Sequence, residues 1–228
     1  MIEKAHLEDT ELFYESRGEG GPCVIVMTEM SMLEGDMKTL DIVMNSPSLS
    51  EKAFSVCLAA VGDWMDSLSP WEAATSLQTF GGNGQKTLDT LISRVIPFLS
   101  DRLSSSSFMI AGYSLAGLFA LWAACRTEVF TACASCSGSL WFPGFEDSFD
   151  TKLLPDGENV FLSLGGKESK SPDEVMATVA DVHERIYRKL KNDGRISRVT
   201  YEKNPGGHFK DPEKRLARGI EWILQSAR

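Results

Sequence analysis

The sequence predicts an α/β fold in three layers, a mostly parallel central sheet with helices on both faces. Three observations carry that expectation. Apolar runs of strand length recur at residues 23–27, 54–60, 108–111, 130–137 and 159–164, and unbroken apolar runs are what strands covered on both faces require. Segments with three- and four-residue apolar spacing stand between them. The 228 residues, 43% hydrophobic and 24% charged, suffice for one large core, and no linker-like composition interrupts them. Residues 1–228 therefore read as a single domain with no large lid.

Taken in order, residues 11–16 alternate in part and read as a short strand at a sheet edge, followed by a turn over 18–22. Residues 23–27 are a buried strand, 28–36 a methionine-bearing loop and 37–44 a short helix. The strand at 54–60 leads into a loop over 61–71 that carries Trp64 and Trp71. Residues 87–103 read as a helix with Leu88, Leu91, Ile92, Val95, Ile96 and Leu99 on one face, kinked at Pro97. After the strand at 130–137 comes a Pro/Gly-containing excursion over 143–158. The strand at 159–164 stops at Gly165-Gly166. Residues 173–191 form an amphipathic helix with Asp173 or Ser171 near its cap. A short strand at 198–201, a loop at 204–209 and a helix at 212–225 close the series.

Composition excludes several function classes. The net charge of −9 and a pI near 4.9 disfavour nucleic acid or an anionic membrane as partner. The basic group Arg185, Arg188, Lys189 and Lys191 reads as a solvated helix face. Five cysteines (Cys23, Cys57, Cys125, Cys133, Cys136) are an odd number on core elements, which predicts buried free thiols and a reducing compartment. Cys133 and Cys136 form C-x-x-C, but residues three apart on a strand point to opposite faces, and no second pair completes a metal site. The first residues lack a basic start followed by an apolar stretch, and no apolar run approaches membrane-spanning length. The expected location is cytoplasmic, and no metal or organic cofactor is expected.

The chemistry gathers at residues 107–126. The run Phe108 to Ala111 passes directly into Gly112-Tyr113-Ser114-Leu115-Ala116-Gly117, and Leu115, Leu118, Phe119, Trp122 and Cys125 then follow at helical spacing. This is the layout of a nucleophile elbow, where a serine sits on a sharp strand-to-helix turn. Small residues two places either side of it, Gly112 and Ala116, let the backbones approach. The N–H of Leu115, at a helix N-terminus, then faces the carbonyl that Ser114 would attack. A hydroxyl nucleophile needs a base. Of three histidines, His6 lies near the N-terminus and His183 inside a long helix, whereas His208 lies in a Gly-Gly-His loop after the last strand. An acid between serine and histidine in the chain is expected to orient the ring. Glu168, after the 159–164 strand, is the choice, with Asp173 five residues on as the alternative. Thr28 or Glu29 would supply the second oxyanion donor. Met30, Met32, Trp64, Trp71, Tyr113, Leu140 and Trp141 are candidates for an apolar pocket.

With these residues assembled, the chain resembles the α/β-hydrolase superfamily, and more narrowly the esterases related to esterase D and the siderophore (enterobactin-type) esterases. The resemblance rests on Gly112 to Leu121, on Ser137-Gly138-Ser139-Leu140-Trp141 and on Gly206-Gly207-His208-Phe209. It implies Ser114 as nucleophile, His208 as base and Glu168 as acid, although some relatives manage with serine and histidine alone. Two departures stand out: Ala116 replaces the usual glycine, and Thr28-Glu29 stands where many hydrolases carry His-Gly. The expected activity is cleavage of a small-molecule carboxylic ester through an acyl-enzyme. The alternatives are a thioesterase or acyltransferase using the same residues, or a non-catalytic binding member of the fold.

Overall fold

In the computed structural model, which describes residues 1–226, the apolar runs pair side by side in one eight-stranded sheet. The chain begins with β1 (Glu3–Leu7), β2 (Thr10–Arg17) and β3 (Cys23–Glu29), then α1 (Leu33–Met44) and β4 (Phe54–Val61). A short helix α2 (Trp64–Ser67) and a two-stranded hairpin, β5 (Glu72–Ala74) with β6 (Thr79–Gly81), precede α3 (Gly84–Thr90) and α4 (Ile96–Leu103). Then come β7 (Phe108–Tyr113), α5 (Leu115–Ala124), β8 (Phe130–Cys136), α6 (Phe145–Ser148) and β9 (Asn159–Gly165). The last elements are α7 (Glu174–Ala177), α8 (Val179–Asn192), β10 (Arg198–Asn204) and α9 (Pro212–Ser226).

The strand order is β1-β2-β4-β3-β7-β8-β9-β10. The first two strands are antiparallel additions, and the six from β4 to β10 run parallel. Alternate residues of these strands feed separate cores. Ile25, Cys57, Ile110 and Cys133 join α3, α4, α5 and α8 on one face, while Val24, Val56, Met109, Ala134 and Cys136 join α1 and α9 on the other. That division is the physical meaning of three layers, and it places Cys133 and Cys136 on opposite sides of the sheet. All five cysteines are free and buried. Among the described residues, no helix is long and apolar enough to cross a membrane.

Several expectations change in detail. The 11–16 strand is not an edge: β1 pairs outside it, with Glu3 opposite Tyr14. Strand β1 is exposed along most of its length, so it carries no apolar run. Helix α1 starts four residues earlier than its periodicity suggests. The 87–103 helix starts at Gly84 and widens into a π turn over Leu91–Val95. Pro97 falls in the first turn of α4 immediately after it. A proline removes one backbone donor and crowds the preceding turn, and the wide turn accommodates this where a kink was expected. The 173–191 helix divides at Thr178 into α7 and α8.

Candidate active site

Parallel topology brings the carboxyl ends of β3, β4, β7, β8, β9 and β10 to one edge of the sheet, and the chemistry-bearing loops gather there. Ser114 lies between β7 and α5 with φ 59° and ψ −123°, a conformation that costs a non-glycine residue energy and needs support from its surroundings. The support is visible. Its N–H donates to Cys136 O at 3.0 Å, and its carbonyl accepts from Leu118 N–H (3.1 Å) and Ser139 N–H (2.9 Å). A Cβ on Gly112 would lie 2.3 Å from the Ala116 carbonyl, so glycine is obligatory there, while the methyl of Ala116 is accepted. Helix α5 is buried throughout. The N–H groups of its first turn have no intrahelical acceptors, and Leu115 borders the main cavity at this edge.

The structure brings Ser114, His208 and Glu168 together in a line. His208 Nε2 lies 3.0 Å from Ser114 Oγ, and its Nδ1 lies 2.8 Å from Glu168 Oε2. The other carboxylate oxygen, Oε1, accepts from Ser137 Oγ–H (2.7 Å), the Gly165 N–H (2.6 Å) and Arg215 Nη1 (3.2 Å). With Oε1 fully engaged, Oε2 remains for the ring, and a proton on Nδ1 leaves the Nε2 lone pair directed at the serine. Glu168 is 5% exposed and His208 29%. Burial pushes the Glu168 carboxyl up, but the His208 hydrogen bond and charge, with Ser137 and Gly165, outweigh it and hold it below the ordinary range. A Cβ at Gly165 would lie 2.8 Å from Glu168 Oε1 and 2.7 Å from Gly206 O, so this glycine lets the acid and the histidine loop meet. Asp173 plays another part. It caps α7, accepting from Val175 and Met176 N–H at 2.9 Å, and it takes the Ser76 hydroxyl at 2.6 Å.

Sequence reasoning missed Arg215. This α9 side chain is 4% exposed and donates from Nη2 to Pro205 O (2.8 Å) and Gly207 O (3.0 Å). Its Nη1 reaches Glu168 Oε1, Tyr113 Oη (3.2 Å) and Ser137 Oγ (3.3 Å). Tyr113 Oη–H in turn donates to His208 O. One guanidinium thus ties Glu168 to the loop carrying His208, a fork geometry that lysine does not offer. The signal was present: Arg215, Gly219 and Trp222 form one buried stripe of α9, whereas Arg218 points outward to Glu202.

The remaining candidates separate. Glu29 borders the main cavity. Thr28 lines neither this cavity nor the second one at Ser114: it is fully buried, its backbone lies in the ladder opposite Ala60 and its hydroxyl donates to the Asp36 carboxylate. The cavity measures about 850 Å³ and is walled in part by Trp64, Phe80, Trp141 and Met32. A second, of about 290 Å³, opens on the same serine and is bordered by Tyr113. Met30 is 54% exposed and lines neither cavity, whereas Met32 lines both. Trp71 is drawn off to donate to Pro143 O at 3.0 Å and to pack edge-on against Phe142. Leu140 is wholly buried in the core. His183 is buried too, its Nδ1 2.9 Å from Val179 O and its ring stacked on Tyr201, while His6 lies on β1 beside Glu11.

Comparison with known proteins bears on the family and the fold. Residues 52–193 match the Esterase family, described as "Putative esterase". Uncharacterized protein YbbA of Bacillus subtilis (strain 168) is 25% identical over 227 residues, covering 92% of this chain and 88% of its own. Among solved structures, an IroE-like serine hydrolase from Shewanella oneidensis superposes with a TM-score of 0.80 at 15% identity, covering 99% of this chain and 80% of its own. Siderophore hydrolase EstA from Aspergillus nidulans gives 0.74 at 16% identity, with 100% and 95% covered. The fold is that of the α/β hydrolases.

Proposed function

The chain belongs to the Esterase family, and from that premise we propose that it hydrolyses carboxylic esters with Ser114 as nucleophile. The observation that carries the reading is the continuous Ser114–His208–Glu168 chain, with contacts of 3.0 and 2.8 Å. Ser114 Oγ attacks the ester carbonyl while His208 Nε2 takes its proton. Glu168 keeps the ring in the tautomer with Nδ1 protonated and stabilises the imidazolium that forms. The Leu115 N–H, at the N-terminus of a buried helix, receives the developing oxyanion, with a second donor from the strand end at Glu29. Nε2–H then protonates the leaving alkoxide, and the alcohol departs. Water, deprotonated by the same nitrogen, attacks the acyl-serine, releasing the carboxylic acid and restoring Ser114.

A fluorophosphonate probe tests the proposal directly. Wild type is expected to label at Ser114 and to cleave simple chromogenic esters. Ser114→Ala removes one hydroxyl and little packing, so it is expected to fold, to lose labelling and to lower kcat by about 10⁴ or more. A folded Ser114→Ala protein with near-wild-type turnover refutes the serine mechanism.

A further inference from the structure

Ser114 stands where two unequal cavities meet. The wider one, about 850 Å³, runs toward Trp141, Gln78 and the turn bearing Lys167 and Lys170. The narrower, about 290 Å³, lies between the first turn of α1 and α9, toward Met27, Asp36 and Leu216. Ser114, His208, Trp64, Met32 and Phe209 border both. Pockets for drug-sized ligands occupy about 300–1,000 Å³. The wide arm falls well inside that range, and the narrow one just below it.

Charge divides between the arms as well. The narrow arm is bordered by the carboxylates of Asp36 and Glu213 and by no lysine or arginine. Asp36 is held off from solvent, and burial raises its carboxyl to about 6 against the Thr28 hydrogen bond. In the wide arm, the carboxylates are engaged locally: Glu29 by the Ser31 hydroxyl, Asp63 by the Asp66 N–H, and Glu168 as described. Lys167 and Lys170 border the same arm, and neither ammonium has a carboxylate within ion-pair distance among the described residues.

Resting on the esterase reading, we infer that the substrate is an unsymmetrical ester, with a short uncharged group on one side of the ester bond seated in the narrow arm. The larger group lies in the wide arm, and any negative charge it carries lies against Lys167 and Lys170. Two glycines give access to each arm separately. Gly35 borders the narrow arm and Gly62 the wide one. A Cβ at either meets no atom within 4 Å, and neither needs a left-handed φ. Leucine at each position therefore adds bulk at one arm without disturbing the elbow.

The test is a matrix of neutral esters in which the acyl group and the alcohol are lengthened independently, read as kcat/KM. Wild type is expected to tolerate length on one side of the ester and to lose about 10-fold or more per methylene beyond a short limit on the other. Gly35→Leu is expected to shorten that limit and leave the tolerant side unchanged, and Gly62→Leu to do the converse. A carboxylate at the end of the short group is expected to abolish turnover. On the long group it is expected to be accepted, with Lys167→Gln/Lys170→Gln lowering kcat/KM for that ester alone. Equal tolerance on both sides, or both glycine variants acting on the same substituent or on neither, overturns the inference. Fluorophosphonate labelling of each variant reports an intact nucleophile. A wild type that neither labels nor cleaves any member refutes the serine-hydrolase reading, whereas a labelled wild type with symmetric tolerance refutes the two arms alone.

Discussion

Replacing Arg215 by methionine probes how the candidate site is held together. The substitution keeps the aliphatic stem and removes five hydrogen bonds, to Pro205 O, Gly207 O, Tyr113 Oη, Ser137 Oγ and Glu168 Oε1. Glu168 Oε1 retains Ser137 and Gly165, so its charge is not abandoned. Of the two loop carbonyls, Gly207 O keeps the Lys210 N–H, while Pro205 O loses the Arg215 donor, at about 1–3 kcal/mol when left unpaired. Breaking one partner of a buried ion pair costs about 3–5 kcal/mol. These terms overlap, and a total near 4 kcal/mol is the reasonable expectation. For a chain of this size 1 kcal/mol moves Tm by about 2–4 °C, so a drop of roughly 8–16 °C is expected. Turnover should fall more than KM rises, because the loop released is the one that carries His208. Arg215→Lys keeps the charge but not the fork, and belongs between the two. Thermal unfolding, kcat and KM of both variants, with and without added guanidinium, are the measurements. Restoration of kcat by guanidinium marks a positioning role that mere destabilisation would not show. A methionine variant with Tm within about 2 °C of wild type and unchanged kcat refutes the reasoning.

Three further outcomes are expected. Glu168→Gln should lower turnover by about 10²–10⁴-fold with little change in KM, whereas Asp173→Asn, which alters a helix cap and the Ser76 contact, should leave turnover near normal; the reverse pattern would reassign the acid. Glu158 is buried with neither carboxylate oxygen hydrogen-bonded among the described residues, and burial raises it to about 9. Between the ordinary glutamate value and that point, the folded chain keeps a proton that the unfolded chain has lost, so stability falls by about 1.4 kcal/mol per pH unit. Glu158→Gln should therefore raise Tm by an amount that grows from pH 5 to pH 9, and a pH-independent gain contradicts this. Finally, burial holds the thiols far above their ordinary range, with Cys23 and Cys136 near 12. The native chain should not react with a disulfide reagent and the denatured chain should titrate five thiols; any fewer contradicts the free state.

What the sequence disclosed follows from which interactions are local. The strand-turn-helix at Ser114 is written within twenty residues, and buried parallel strands announce themselves as unbroken apolar runs, so sheet, elbow and histidine loop were all legible. The contact of Glu168 with His208 was foreshadowed by its place after a Gly-Gly stop at a strand's carboxyl end. Strand β1 was not, since its exposed residues carry no apolar run and it exists through pairing with β2. Arg215 was only half legible: its helical spacing with Gly219 and Trp222 hinted at a buried stripe, but its partners are distant. A charged residue in an amphipathic helix reads as solvated until the partners that bury it, 8 to 102 residues away in the chain, are brought to it. Trp71 and Leu140 show the converse: large apolar side chains near a site gave no hint of whether they would wall a cavity or fill the core.

The order in which these parts leave a ribosome has a consequence. Ser114 precedes His208 by 94 positions, and the His208 loop is secured by a guanidinium further along still, on a helix that packs against β7, β8 and β9. Domains generally fold as units, and the Ser114 turn itself leans on Cys136 and Ser139, so the serine meets His208 only once the whole domain has closed. A chain cut before α9 would keep every strand of the sheet and lose the guanidinium that secures the His208 loop.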